Sequence, residues 1–99
     1  MLILFLGRSV EGILADAKEE FPEEQEILVL TRKNDQLQPP AGLTAIPADE
    51  FRPDSETTYV VIANGGTTSQ VLPTVKRLVE ADTNFTAWDL QREGKIQVW

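Results

Sequence analysis

The stretch Tyr59-Val60-Val61-Ile62-Ala63-Asn64-Gly65-Gly66-Thr67-Thr68-Ser69-Gln70 contains the strongest indication of fold in this chain. It opens with an apolar segment of the kind found in strands that are buried on both faces. Two glycines and small hydroxylated residues then predict a turn, and an amphipathic helix is predicted after it. In an open α/β sheet, such a turn brings backbone N–H groups and hydroxyls to the positive end of a helix, where an anion or phosphate binds.

Further apolar segments are predicted to form strands of the same sheet. The run 1–6 stops at Gly7, and its continuous apolar character is typical of a strand in the middle of a parallel sheet. The run 26–31 is a second buried strand, and the short run 43–46 is expected near an edge. The segment 57–63 forms the fourth strand and, with the first, the predicted centre of the sheet.

Two amphipathic helices are predicted. The first follows Ser9, which is a good N-cap, and ends before Pro22. Its apolar stripe consists of Val10, Ile13, Leu14, Ala17 and Phe21. The second is expected to begin close to Leu72, because Pro73 is tolerated only in the first turn of a helix. The predicted buried side of this second helix consists of Val71, Val75, Leu78 and Val79.

The order of these elements predicts an α/β fold: a small Rossmann-like open sheet, mostly parallel, in a single domain that spans residues 1–99. Proline-containing loops are predicted at 36–42 and 47–57, the second with one helical turn around 49–52. At the C-terminus, the segments 85–88 and 95–99 are predicted to pair as an antiparallel hairpin.

The predicted ligand site lies where the first and fourth strands end. If these strands are neighbours, the strand order reverses between them, and ligands of open α/β sheets bind outside the carboxyl ends of the strands at such a point. Glycines permit close approach of a ligand, and oriented N–H groups favour negative charge. The predicted ligand-binding residues are Gly7, Arg8, Ser9, Arg32, Asn64, Gly65, Gly66, Thr67, Thr68 and Ser69, with Lys33 as a further cation at the same edge.

Each of these residues also has an ordinary structural explanation. Gly65 and Gly66 are what a tight turn between a strand and a helix requires, and hydroxylated residues often cap helices. Arg8 is expected to be solvated in that case, and the pair Arg32-Lys33 then only offsets the acidic segment 23–26. There is no dinucleotide fingerprint, because Gly7 is not followed by two further glycines at the required spacing.

Composition excludes several classes of function. The chain has no histidine and no cysteine, so neither a Ser-His-Asp nucleophile nor a thiolate metal site can be built, and we expect no metal and no cofactor. The net charge of −7 argues against binding to duplex nucleic acid or to an anionic membrane. No apolar run is long enough to span a bilayer, and a cytoplasmic location is expected.

At Asn64-Gly65-Gly66-Thr67 the chain resembles the CRISPR-associated Rossmann fold (CARF) domains, which carry a strand, a Gly-Gly-Thr turn and a helix in a compact α/β domain. The apolar first strand with its short Gly/Ser turn and the overall length are also similar to that family. The resemblance implies a homodimer that binds a cyclic oligoadenylate, most simply cyclic tetra-adenylate. It places Gly65, Gly66, Thr67 and Thr68 against the ligand, with Gly7, Arg8 and Ser9 opposite.

The resemblance leaves open whether the messenger is sequestered or cleaved. The family often has a cation directly after Gly-Gly-Thr, whereas this chain has Thr68, so cationic contacts are left to Arg8, Arg32 or Lys33. A slow, metal-independent ring nuclease would use attack by the ribose 2′-OH, with Arg8 or Lys33 as candidate catalytic residues. Because no histidine is available as a general base, we expect binding and sequestration more than cleavage.

Two rival functions remain open. The first is an acidic protein-interaction module that docks through its charged helix face and the C-terminal strand at Trp99, without a nucleotide ligand. The second is a small subunit of an enzyme that binds mononucleotides or phosphate. The three readings differ in which small molecules should stabilise the folded protein, because a ligand that binds only the folded state raises its stability.

Overall fold

A computed structural model of the chain describes residues 1–7, 10–32, 38–63, 68–89 and 94–95. The chain alternates strands and helices in the way the sequence predicts. In chain order the elements are β1 (Leu2–Phe5), α1 (Val10–Glu20), β2 (Ile27–Thr31), β3 (Thr44–Pro47), the 3-10 turn η1 (Ala48–Glu50), β4 (Thr58–Ala63), α2 (Thr68–Glu80), β5 (Asn84–Asp89) and β6 (Gly94–Lys95).

The strands form one sheet in the order β3-β2-β1-β4-β5-β6. The first five are parallel to one another, which confirms the α/β fold with a mostly parallel sheet. β1 and β4 are neighbours, with Leu2 opposite Val60 and Ile3 opposite Val61. Strand order therefore reverses between β1 and β4, as predicted from the two most apolar runs, and β3 lies at an edge.

The two helices cover opposite faces of the sheet. Alternate residues of a strand point to opposite faces, and alternate residues of β1 pack in clusters with different helices. On one face, Leu2 and Leu4 of β1 belong to a buried cluster with Val10 and Ala17 of α1. On the other face, Ile3 and Phe5 pack in a cluster that includes α2. β1 is buried along its whole length, so it forms the middle of a three-layer α/β/α arrangement.

Helix α2 begins four residues before the predicted start, at Thr68 instead of Leu72, so Pro73 lies inside the helix. The buried side of the helix agrees with the prediction except at Val79. Val71, Val75 and Leu78 are buried as predicted, but Val79 is 58% exposed and Leu72 is 53% exposed. At about 3.6 residues per turn, positions 72 and 79 lie on the side away from the sheet, and two polar positions replace them in the interior. These are Gln70 and Thr74.

The connection from β3 to β4 is more ordered than a proline-rich loop suggests. The predicted helical turn is present as η1, and the next residue, Phe51, is 3% exposed within the core beside α2. Its ring meets that of Tyr59 edge to face at a centroid distance of 5.8 Å. This connection therefore forms part of the wall against which α2 packs.

At the C-terminus, β5 pairs with β6 in antiparallel orientation over two residue pairs, Trp88 with Lys95 and Asp89 with Gly94. The remainder of the predicted last strand, 96–99, lies outside the described residues, so the full hairpin stays a prediction. Trp88 packs edge to face on Phe21 at 5.5 Å, and its indole N–H donates to the Thr86 hydroxyl. Within the described part of the chain, neither helix has the length and apolar character needed to cross a membrane.

Candidate functional site

The carboxyl ends of the parallel strands meet at one edge of the sheet. Gly7 follows β1, Arg32 follows β2, and α2 starts shortly after β4 ends at Ala63. The neighbouring β1 and β4 bring the ends of these strands together. This edge is therefore the topological switch point where ligands bind in open α/β sheets.

Four of the predicted site residues fall within the described chain. Gly7 and Arg32 lie at the predicted edge, Gly7 half-buried and Arg32 exposed, while Thr68 and Ser69 are the first residues of α2. The remaining predicted residues lie outside the described residues. These are Arg8, Ser9, Lys33, Asn64, Gly65, Gly66 and Thr67. The structure thus brings together the ends of the elements that flank the predicted loops, and the loop residues themselves stay predictions.

Gly7 has open space beside it. A Cβ atom added to this residue would meet no heavy atom within 4 Å among the described residues. Its carbonyl accepts the N–H of Val10, the first residue of α1, at 3.2 Å. Crowding by the described residues therefore does not require glycine at this position.

A cavity of about 300 Å³ opens between the end of β2, η1 and the first half of α2. It lies at the same carboxyl edge, because Thr31 and Arg32 of the β2 end form one of its walls. Its lining residues are Thr31, Arg32, Ala48, Asp49, Gln70, Pro73, Thr74 and Arg77. The volume is at the lower end of the range of small-molecule sites, about 300–1,000 Å³.

Gln70 is the least expected member of this lining. Its side chain is only 7% exposed, and its Oε1 atom is buried with no hydrogen-bond partner among the described residues. A buried acceptor without a partner costs about 1–3 kcal/mol, so native proteins seldom retain one without a reason. The backbone carbonyl of the same residue is satisfied, since it accepts the Thr74 hydroxyl at 3.0 Å.

The charges around the cavity are mixed, with cations on two sides. The half-buried Arg77 reaches from α2 to η1, where its guanidinium donates to the Ala48 carbonyl. Arg32 stands at the end of β2, and Asp49 is exposed on η1. Because Arg77 joins α2 to η1, it fixes the width of the cavity, while Arg32 supplies positive charge where the cavity meets the switch point.

Of the residues that line the cavity, sequence reasoning predicted only Arg32 as a site residue and missed the others, among them Asp49, Gln70, Thr74 and Arg77. The assumption that α2 begins at Leu72 left Gln70 outside the helix, so its position on the buried side was not recognised. A helix that starts at Thr68 places Gln70 and Thr74 in line with Val71, Val75 and Leu78. Polar residues on the apolar side of a helix were the signal that could have found this cavity.

A second opening of about 400 Å³ lies near the amino ends of the strands, and its lining is acidic. Glu23, Glu24 and Glu26 contribute to its wall, and the Met1 ammonium group donates to the Glu24 carboxylate at 2.7 Å. Among the described residues, no group of three or more acidic side chains is arranged to hold a metal ion. This acidic region repels phosphates, which leaves the carboxyl edge as the candidate site.

Comparisons of this chain with models of protein families, with curated proteins and with solved structures gave no match. Function is therefore inferred from the chemistry of the carboxyl edge.

Proposed function

We propose that this chain binds a cyclic oligoadenylate, such as cyclic tetra-adenylate, at the carboxyl edge of its sheet, as a homodimer in the cytoplasm. Its role would be to lower the concentration of this messenger in antiviral signalling of the CRISPR type. Sequestration is the proposed activity, and slow cleavage without a metal is the alternative to it. The residues assigned to binding are those predicted from the sequence, of which Gly7, Arg32, Thr68 and Ser69 fall in the described chain.

The observation that carries the proposal is the pairing of β1 with β4. In open α/β sheets with helices on both faces, phosphorylated ligands bind outside the carboxyl ends of the two strands between which the strand order reverses. The N-terminus of α2 faces this edge and carries a partial positive charge. Arg32 adds a full positive charge at the end of the adjacent β2.

Thermal unfolding with added ligands tests the proposal. Cyclic tetra-adenylate present at about 100 times its Kd should stabilise the wild-type protein by about 2.7 kcal/mol, because it binds only the folded state. Arg32→Ala should weaken binding about tenfold or more, since a charged contact to a phosphate is lost. The matched control is Lys18→Ala, which removes the same charge from the exposed side of α1 and should leave binding unchanged.

The other outcomes identify the rival functions. Stabilisation by AMP or inorganic phosphate, with no response to cyclic oligoadenylates of any size, would replace this proposal with an enzyme subunit that binds mononucleotides. No response to any of these compounds would favour the protein-interaction module. Chromatography of the ligand after prolonged incubation separates sequestration from cleavage, because cleavage yields linear products.

A further inference from the structure

The unpartnered oxygen of Gln70 specifies which chemical group the cavity accepts. Oε1 is an acceptor, so the group that satisfies it must carry an N–H or O–H donor. The carboxamide also has two N–H donors on Nε2, so it matches a partner that presents a donor beside an acceptor. Adenine presents this pattern through its N6 amino group, which is a donor, and N7, which is an acceptor. A glutamine amide can pair with both atoms at once.

We infer that the cavity lined by Gln70 is an adenine subsite, in which the N6 amino group donates to Gln70 Oε1. This inference rests on the proposed function, because the base belongs to the same adenylate ligand. The phosphate of that nucleotide then lies toward Arg32, at the mouth of the cavity near the switch point. The base lies between η1 and α2, beside the guanidinium of Arg77.

The side chain can present its oxygen without repacking the core. Oε1 is covered by protein atoms in the structure, and because Gln70 lines the cavity, rotation of the terminal carboxamide toward the cavity would present Oε1 to a bound base. The terminal torsion of glutamine has a broad, shallow profile, so this rotation is inexpensive. The free protein keeps a buried acceptor without a partner, and the bound base supplies the missing donor, which favours the complex over the free state.

The same geometry disfavours a base that carries an oxygen at the corresponding position. Hypoxanthine and guanine present the acceptor O6 where adenine presents the donor N6. A rotated carboxamide can donate from Nε2 to O6, but the neighbouring N7 is also an acceptor, so Oε1 is left without a donor in a buried place. Selection between adenine and hypoxanthine therefore reports directly on Gln70.

The test compares cyclic tetra-adenylate with its cyclic tetra-inosinate counterpart by calorimetric titration of the full chain. Wild type is expected to bind the adenine ring at least about tenfold more tightly, the effect of one good bidentate amide pair. Gln70→Met keeps the length of the side chain but removes the amide, and should reduce this preference to about one. Gln25→Met, at an exposed position near the acidic opening, is the matched control and should keep the preference.

The free energy of unfolding of the ligand-free proteins is a second measurement. A binding role and a purely structural role for Gln70 predict opposite changes in it. Gln70→Met should be at least as stable as wild type, because it removes a buried acceptor without a partner. A residue kept only for packing would instead lose stability on substitution. Equal binding of the two rings by wild type overturns the subsite without any variant, so the inference stays falsifiable even if Gln70→Met fails to fold.

The outcomes separate this inference from the proposed function. Equal binding of both rings by wild type, or an unchanged preference in Gln70→Met, overturns the adenine subsite while cyclic oligoadenylate binding stands. Binding of AMP in preference to IMP that depends on Gln70, with no binding of either ring, supports the subsite and overturns the cyclic ligand. Binding of none of the four compounds overturns both.

Discussion

Asp82 has a positive backbone φ of 55°, which is unusual for a residue other than glycine. It follows the end of α2, and two backbone hydrogen bonds close the helix around it. The Asp82 N–H donates to the Val79 carbonyl and the Thr83 N–H donates to the Leu78 carbonyl, the pattern of a Schellman motif. The Thr83 hydroxyl also donates to the Leu78 carbonyl at 2.9 Å. The motif therefore depends on the left-handed backbone at residue 82, whose side chain is exposed.

Asp82→Gly is expected to raise the free energy of unfolding by about 0.5–1 kcal/mol. A left-handed backbone costs most residues about 1–2 kcal/mol, whereas glycine adopts it freely, and part of the gain is lost because glycine makes the unfolded chain more flexible. Denaturant unfolding measures the difference. Asp82→Ala keeps the Cβ atom and serves as the control. The explanation is wrong if alanine stabilises the protein as much as glycine does.

At the level of single residues, the sequence could predict only part of the site. Gly7 and Arg32 could be placed at the carboxyl edge because each directly follows an apolar run. Gln70 could not be assigned to the cavity in the same way. Its burial depends on where α2 begins and on how η1 packs against it, and both are set by contacts between residues distant in the chain.

The connection from η1 to β4 has no helix or strand of its own, but it makes several specific contacts. The Arg52 guanidinium donates to the carbonyls of Asp49 and Phe51, at 2.8 and 3.0 Å. The Tyr59 hydroxyl accepts the Asp54 backbone N–H at 2.8 Å. With Phe51 buried, these bonds hold the connection against β4 and so position one wall of the cavity.

Tyr59→Phe should lower the free energy of unfolding by about 1 kcal/mol, because it removes the acceptor of the partly buried Asp54 N–H while the edge-to-face ring contact with Phe51 remains. Thermal or denaturant unfolding measures this. The control is Thr57→Val, which removes an exposed hydrogen bond to the Asp54 carboxylate at 3.2 Å and should change stability by less than about 0.5 kcal/mol. Equal losses in both variants would contradict a specific role for the tyrosine hydroxyl.

Regular elements were predictable from the sequence where burial is one-sided or complete. β1 and β4 are continuous apolar runs, and the apolar stripe of α1 repeats with helical spacing. All three elements could therefore be predicted. The predicted start of α2 was wrong because Pro73 was assumed to lie in the first turn of the helix. In the structure the helix begins at Thr68 and continues past Pro73, with its buried face packed on the sheet. The segment 47–57 was predicted to be a loop because it is polar and contains prolines, and the burial of Phe51 within it arises from tertiary packing.

The whole molecule combines a net charge of −7 with cations at one edge of the sheet. The acidic opening with Glu23, Glu24 and Glu26 lies near the amino ends of the strands, and Arg32 follows the carboxyl end of β2. This separation favours a small anion that contacts one edge over a long polyanion that must also pass the acidic surface. The parallel arrangement of β1 to β5 produces the separation, because it places the carboxyl ends of these five strands at one edge and their amino ends at the other.

The salt dependence of ligand binding should therefore be shallow. If Arg32 from each of two protomers contacts one phosphate, about two charges are neutralised, and the slope of log affinity against log salt should be about −1.4. The affinity for cyclic tetra-adenylate should then fall only about sevenfold between about 50 and 200 mM salt. Calorimetric titration at both concentrations measures this, with a short DNA duplex as the comparison ligand. A slope several times steeper, or duplex binding of similar strength, would mean that an extended basic surface binds the ligand, which this edge with Arg32 cannot supply alone.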